Sequence, residues 1–241
     1  MAGRNHRRMQ LVRESHSRGK LIANTRSLED FGCLKIMNFA EEEITARLQA
    51  AQTRTHTDGY ARGDASAPKC AAVLVPLLRQ DGEWNLLFTR RTDKVESHKG
   101  QVSFPGGACD DGETTPEQTA LREAEEEIGI DPRNVRVLGR LPSMLTITSY
   151  RVTPVVGVIP WPTVFKPAQA EVARIFTMPL TWLAERSNRW EFNLLGRDHS
   201  VIVYHPFDGE ILWGATARMT VDFLEILKLN REARYDREEN Q

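Results

Sequence analysis

Apolar residues first recur at helical spacing between Asn38 and Gln52, where Phe39, Ile44, Leu48 and Ala51 would share one face of a short amphipathic helix. A polar stretch with Gly59, Gly63 and Pro68 follows and reads as a linker or surface loop. From Cys70 the texture changes. Ala71 to Leu78 is an apolar strand, Gln80-Asp81-Gly82 a turn, and Trp84 to Thr89 a second strand, together a hairpin. A charged loop from Arg90 to Val102 leads into a Gly-rich turn, Phe104-Pro105-Gly106-Gly107. Thr115 to Ile128 is the clearest helix: Thr115 can cap it, Pro116 suits its first position, Gln118 completes a capping box, and Gly129 supplies the stop.

Further on, Val135 to Leu141 and Val152 to Ile159 read as strands, the second apolar enough to be buried on both faces. Glu171 to Phe176 is a short strand and Leu180 to Glu185 a short helix. Val201 to Phe207 and Glu210 to Trp213 flank Asp208-Gly209 as a late hairpin, and Ala215 to Leu229 forms a closing helix. Strands and helices alternate without an internal repeat. The expected fold is therefore mixed α/β (α+β), a mixed sheet between helices. The expected divisions are a basic extension over 1–36, a short helix and linker over 37–69, one main domain over 70–229, and a charged tail over 230–241.

Composition narrows the class. The 241 residues, 40% of them apolar, are enough to bury a full core. Lys and Arg nearly balance Asp and Glu, for a formal net charge of -1, so no nucleic-acid partner is expected. No apolar run approaches the roughly 18–20 residues of a membrane helix, so no membrane partner is expected either. Three cysteines (Cys33, Cys70 and Cys109), with no Cys-x-x-Cys pair, suggest neither a disulfide framework nor a zinc site. A reducing, cytoplasmic setting is expected. The first 26 residues hold seven basic side chains (Arg4, Arg7, Arg8, Arg13, Arg18, Lys20, Arg26) against Glu14 alone. Arg-rich leaders can be organelle transit peptides, but no helical apolar stripe accompanies this one. A disordered basic tail, or sequence ahead of a start at Met37, is the plainer reading.

The chemistry concentrates in Arg122-Glu123-Ala124-Glu125-Glu126-Glu127-Ile128-Gly129. At about 100° per residue, Glu123, Glu126 and Glu127 converge on one side of the helix while Glu125 points away. Like charges so spaced cost about 0.2–0.5 kcal/mol per pair. A hard cation relieves that repulsion. The bland alternative is a solvated acidic face. Against it stand the strong capping, the preceding Gly-rich turn, and Arg122 placed to orient a carboxylate.

Gly107, Glu113, Arg122-Glu123, Glu126-Glu127, Gly129 and Ile130 resemble the Nudix box. One spacing departs from the usual form: eight residues, not seven, separate Glu113 from Arg122, which leaves the role of Glu113 open. The resemblance implies a loop–helix–loop holding Mg²⁺ or Mn²⁺ against a diphosphate. It implies metal ligands at Glu123, Glu127 and Glu126 and at the Gly106 carbonyl. A carboxylate would take the proton of the attacking water. Glu126 is favoured, with Glu171 as the alternative, and Arg122 belongs to the same catalytic group.

Leu87-Phe88-Thr89-Arg90-Arg91, then His98-Lys99-Gly100-Gln101-Val102-Ser103-Phe104-Pro105-Gly106-Gly107, is similar to the coenzyme A pyrophosphatase branch of that family, as are Tyr150 to Gly157 and Trp213-Gly214-Ala215-Thr216. The branch implies cleavage of coenzyme A or its acyl esters to 3′,5′-ADP and 4′-phosphopantetheine. Arg91, His98, Lys99, Gln101 and Gly107 would then contact substrate, although the basic ones could equally form a solvated loop. Three positions depart from the branch pattern: Glu96 stands where an Arg is usual, Thr92 for Ser or Ala, and Phe88 for Leu. Glu96 favours a less phosphorylated substrate, ADP-ribose or a dinucleotide. A non-catalytic Nudix-fold binding module is the alternative of another class, disfavoured because all three acids are present. Trp161, Trp182, Trp190 and Trp213 are expected to pack rather than stack on a base, and His199 and His205 have no assigned role. The expected partner is a small nucleotide. Oligomeric state is open, a homodimer being compatible.

Overall fold

The computed structural model describes residues 39–52, 68–93, 99–193 and 200–229. The extension over 1–36, most of the linker, His98, Glu96, His199 and the tail from 230 lie outside the described residues.

The chain runs α1 (Glu41–Gln52), β1 (Lys69–Gln80), β2 (Glu83–Arg91), β3 (Val102–Ser103), β4 (Gly106–Ala108), α2 (Pro116–Ile128), β5 (Arg136–Arg140), β6 (Met144–Leu145), β7 (Tyr150–Val158), β8 (Val172–Pro179), α3 (Leu180–Ala184), β9 (Arg189–Asn193), β10 (Ser200–Tyr204) and α4 (Gly214–Ile226). Eight strands form one mixed sheet in which β1 lies parallel to β7 while its hairpin partner β2 runs antiparallel. Side chains alternate along β1 with the two-residue period of a strand. Ala72, Leu74 and Leu78 meet Ala120, Ala124 and Ile128 of α2. Ala71, Val75 and Leu77 face the opposite core with Ile44 and Leu48 of α1 and Phe223 and Leu224 of α4. Helices thus cover both faces, as the pattern predicted.

One edge of β1 is shared. Leu77–Gln80 pair with β2, whereas Ala71–Val73 pair with β4. Pro76, which has no N–H to donate to a ladder, lies between the two stretches. Beyond the split, β2 pairs with β3 and β8. The split brings β4 and the loop after it against α2.

Five local expectations need correction. Strand β2 continues through Arg91, so the expected loop begins later than Arg90, and Gly106–Gly107 are strand rather than turn because β1 pairs with them. The segment expected as a late hairpin supplies β10, whose partner is β9, while only bridges flank the Asp208-Gly209 turn. Trp182 packs against Tyr204 and Phe207 and Trp190, half exposed, lies against His205, but Trp161 and Trp213 are also about half exposed. Cys70 and Cys109 form a disulfide, 39 residues apart. The register Ala71↔Ala108 brings them together, and the Cys109 N–H donates to the Cys70 carbonyl at 3.1 Å. That pairing is long-range, so cysteine spacing carried no sign of it, and it removes the ground on which a reducing setting was inferred.

Cysteine chemistry tests this bond. Denatured without reductant, the protein should show one thiol to a colorimetric reagent rather than three, Cys33 being the remaining cysteine. Cys70→Ser should lower unfolding stability by about 2–4 kcal/mol in a denaturant titration, as for a typical lost cross-link.

Candidate functional site

Helix α2 starts and stops where its sequence dictates. Thr115 Oγ1 accepts from the Gln118 N–H at 3.4 Å, and the Gln118 side chain accepts from the Thr115 N–H at 3.1 Å. Gly129 closes the helix in the left-handed region at φ 69°, a conformation costly for residues with a Cβ. The last carbonyls do not go unmet. The Ala168 N–H donates to Glu127 O and the Lys166 N–H to Ile128 O, each at 2.9 Å, so the loop before β8 is fastened to the helix end.

Ala120 and Ala124 are small enough to bring the helix close to the sheet, and this approach carries Glu123 and Glu127 inward. Glu127 is only 5% exposed, and its Oε2 is buried without a hydrogen-bond partner. Burial pushes its pKa up to about 8, against the opposing pull of Arg91 and the Gly106 N–H. The Glu123 carboxyl is raised too, chiefly by burial, with Arg122 acting in the other direction. Both carboxyls feel Glu171, so three acids share one small region. Glu126 points to the rim, its side chain 59% exposed and tied to Arg122 at 3.1 Å.

Gly107 is required by space. A Cβ there would lie 2.4 Å from Oε1 of Glu123. The short β4 strand and the helix acid therefore fit together only because that side chain is missing.

Two arginines organise the acids. Arg91 Nη1 stands 3.6 Å from Glu127 Oε1 and its Nη2 3.9 Å from Glu171 Oε2. Arg122 bridges Glu123 at 2.9 Å and Glu126 at 3.1 Å, and donates to the Ala108 carbonyl at 3.0 Å. Its Nε is held at 2.9 Å by Glu113, which also accepts from Thr119 Oγ1 at 2.7 Å and the Asp110 N–H at 2.8 Å. Despite the extra residue in the spacing, Glu113 anchors Arg122. Its pKa falls to about 2, first because of the Arg122 hydrogen bond.

The sequence-predicted residues Glu123, Glu126, Glu127, Arg122, Glu171, Gly106, Gly107 and Arg91 are brought together. Gln101 is adjacent through its carbonyl, which accepts from the Arg91 N–H at 3.0 Å, while Lys99 is exposed on a turn. Among the described residues no three acidic, His or Cys side chains are already gathered as a metal cage, the arginines lying among the acids. The donor set nevertheless fits a hard cation: carboxylate oxygens, two of the acids raised in pKa by burial, one oxygen without a partner. Sequence reasoning missed Thr92, whose contacts are wholly tertiary: its N–H donates to the Glu171 carbonyl at 2.8 Å and its hydroxyl to the Ala170 carbonyl at 2.9 Å.

A family model described as the NUDIX domain matches residues 68–194. The chain is 42% identical over 143 residues to a protein of Escherichia fergusonii named uncharacterized Nudix hydrolase NudL, covering 59% of this chain and 69% of that one. Its counterpart in Escherichia coli K12 is 41% identical over the same span. Among solved structures, a MutT/nudix family protein from Enterococcus faecalis aligns over 86% of this chain and 81% of its own, at 13% identity and a TM-score of 0.43.

Two outcomes test the site. The Glu113 carboxylate has its pKa lowered from 4.5 to about 2 on folding, so its stabilising contribution is complete above pH 4.5 and is lost as pH falls through about 2. The stability difference between the native chain and Glu113→Gln should therefore shrink progressively over that window in urea titrations. Gly107→Ala meets only the movable end of Glu123, so the fold should survive. Stabilisation by added Mn²⁺, read as a rise in Tm, should shrink.

Proposed function

The chain belongs to the Nudix hydrolase family, and on that premise we propose that it hydrolyses the diphosphate of a nucleoside diphosphate derivative, coenzyme A or an acyl-CoA first among them, with Mg²⁺ or Mn²⁺. The observation that carries the reading is the buried Glu127 carboxylate, one oxygen unpartnered, set beside Glu123 and Glu171 on a rigidly capped helix.

Nudix hydrolases generally use divalent metal ions such as Mg²⁺. Here Glu123 and Glu127 would hold the ion, with Glu126 and the Gly106 carbonyl completing the set. Such an ion supplies Lewis acidity, offsetting the negative phosphate oxygens and making water easier to deprotonate. The protein's own residues do the rest. Arg122, fixed by Glu113, holds Glu123 and Glu126 in place, and Arg91 offsets charge between Glu127 and Glu171. Water attacks one phosphorus, the bond to the bridging oxygen breaks, and a carboxylate accepts the water's proton. We now favour Glu171 over Glu126 for that step, because Glu126 is turned to the rim and bonded to Arg122, whereas Glu171 stands beside Glu127 and Arg91. Arg91, Gln101 and Gly107 would face substrate, and His98 and Lys99 would meet its phosphates.

Coenzyme A is favoured by the motif running from Leu87 to Gly107. For coenzyme A the products would be 3′,5′-ADP and 4′-phosphopantetheine. ADP-ribose or a dinucleotide is the second reading, supported by Glu96, an acid where the branch pattern is basic. Turnover of coenzyme A, acetyl-CoA, ADP-ribose and a diadenosine polyphosphate with Mg²⁺ or Mn²⁺ distinguishes them, and faster cleavage of ADP-ribose would overturn the first choice. Glu127→Gln should lower turnover at least about 100-fold while the circular dichroism spectrum stays native. Unchanged turnover would remove the assignment.

A further inference from the structure

Glu171 is an odd candidate for a catalytic group when viewed on its own. Its side chain is 53% exposed, and it sits at the end of the loop that leads into β8. An exposed carboxylate on a loop samples many positions, whereas proton transfer needs reach within hydrogen-bond distance. Whatever fixes that loop therefore controls the reaction.

Three sets of contacts fix it. The Lys166 and Ala168 N–H groups fasten the loop to the end of α2, and the Glu171 and Val172 N–H groups both donate to the Ala168 carbonyl at 2.8 Å. The third set comes from the end of β2, and only this one holds the residues at and next to Glu171 against the sheet. Pairing of β2 with β8 slips between Arg90 and Arg91, an irregularity of the kind that re-aims side chains beside active sites. Arg91 faces Glu127 and Glu171, and directly after it Thr92, only 8% exposed, grips the loop twice: backbone N–H to the Glu171 carbonyl and hydroxyl to the Ala170 carbonyl.

We propose that Thr92 is a positioning residue for catalysis, its hydroxyl clasping the Ala170 carbonyl so that Glu171 is held beside Glu127. This rests on the reading of Glu171 as the proton acceptor. The backbone bond from Thr92 needs no particular side chain, but the hydroxyl bond does. Serine keeps the donor, whereas valine keeps the shape and removes it, leaving the Ala170 carbonyl without that partner.

Steady-state kinetics on Thr92→Val, Thr92→Ser, Glu171→Gln and Thr92→Val/Glu171→Gln, using coenzyme A and Mg²⁺, test it, with ADP-ribose run in parallel. The expected result is a fall in kcat of about tenfold or more for Thr92→Val with KM little changed, since small misplacements at a reacting centre are costly. Thr92→Ser should stay within about twofold of native, and Thr92→Val should cost nothing further once Glu171 is Gln, as expected for residues acting as a unit. Native turnover in Thr92→Val alongside a slow Glu171→Gln would overturn the clasp and leave the proposed function standing. So would an equal loss from Thr92→Val in both backgrounds, because that is general destabilisation. Native turnover in Glu171→Gln would instead remove Glu171 from the mechanism, and the clasp with it.

Discussion

A carboxylate taken out of water must be neutralised, paired or bound, and the arrangement around Glu127 follows from that constraint. The capped helix drives Glu127 into the junction with β4 because Ala120, Ala124 and Ile128 on the same helix pack into the core. Arg91 approaches but does not close to a hydrogen bond, at 3.6 Å, so the acid is only partly compensated. The cost is met by the packing of the helix. What results is a group whose ionised form gains by the arrival of a cation, and the neighbouring acids are turned toward the same place.

The second theme is fastening. Glu113, itself held by the Thr119 hydroxyl and the Asp110 N–H, and the Ala108 carbonyl fix Arg122, and Arg122 in turn holds two glutamates. A long side chain left to itself would lose much conformational freedom on being ordered. Here that ordering is complete before any ligand arrives, which is what preorganisation means for a charged site. The loop before β8 is treated the same way, its backbone tied to a helix end on one side and to a strand end on the other.

Much of this was legible along the chain. The capping box, the αL glycine and the side of the helix carrying Glu123 and Glu127 are each local, set by residues a few positions apart, and the helical pattern with its end signals recovers them. Glu126 was read as converging with them, and its charge does reach Glu123, but its side chain lies at the exposed rim of the group, bonded to Arg122. What resisted reading depends on contacts between distant segments. The bond of Cys70 to Cys109 follows from strand register, β10 pairs along its length with the preceding β9 besides bridging to the segment after the turn, and the anchoring role of Glu113 depends on how a loop folds back on its helix. Thr92 showed in the sequence only as a departure from the branch pattern, and it is the return of the chain 78 residues later that gives its hydroxyl a partner.

The divided edge of β1 serves two neighbours. Because Pro76 separates the residues that pair with β4 from those that pair with β2, the glycine strand is not continuous with the hairpin. Gly106 and Gly107 are joined to the sheet by the Ala71–Val73 end of β1, the Leu77–Gln80 end carries β2, and β7 runs along the other edge past both. A single strand thus sets the register both of the glycines beside Glu123 and of the hairpin that ends in Arg91, so two walls of the acid cluster are ruled from one segment.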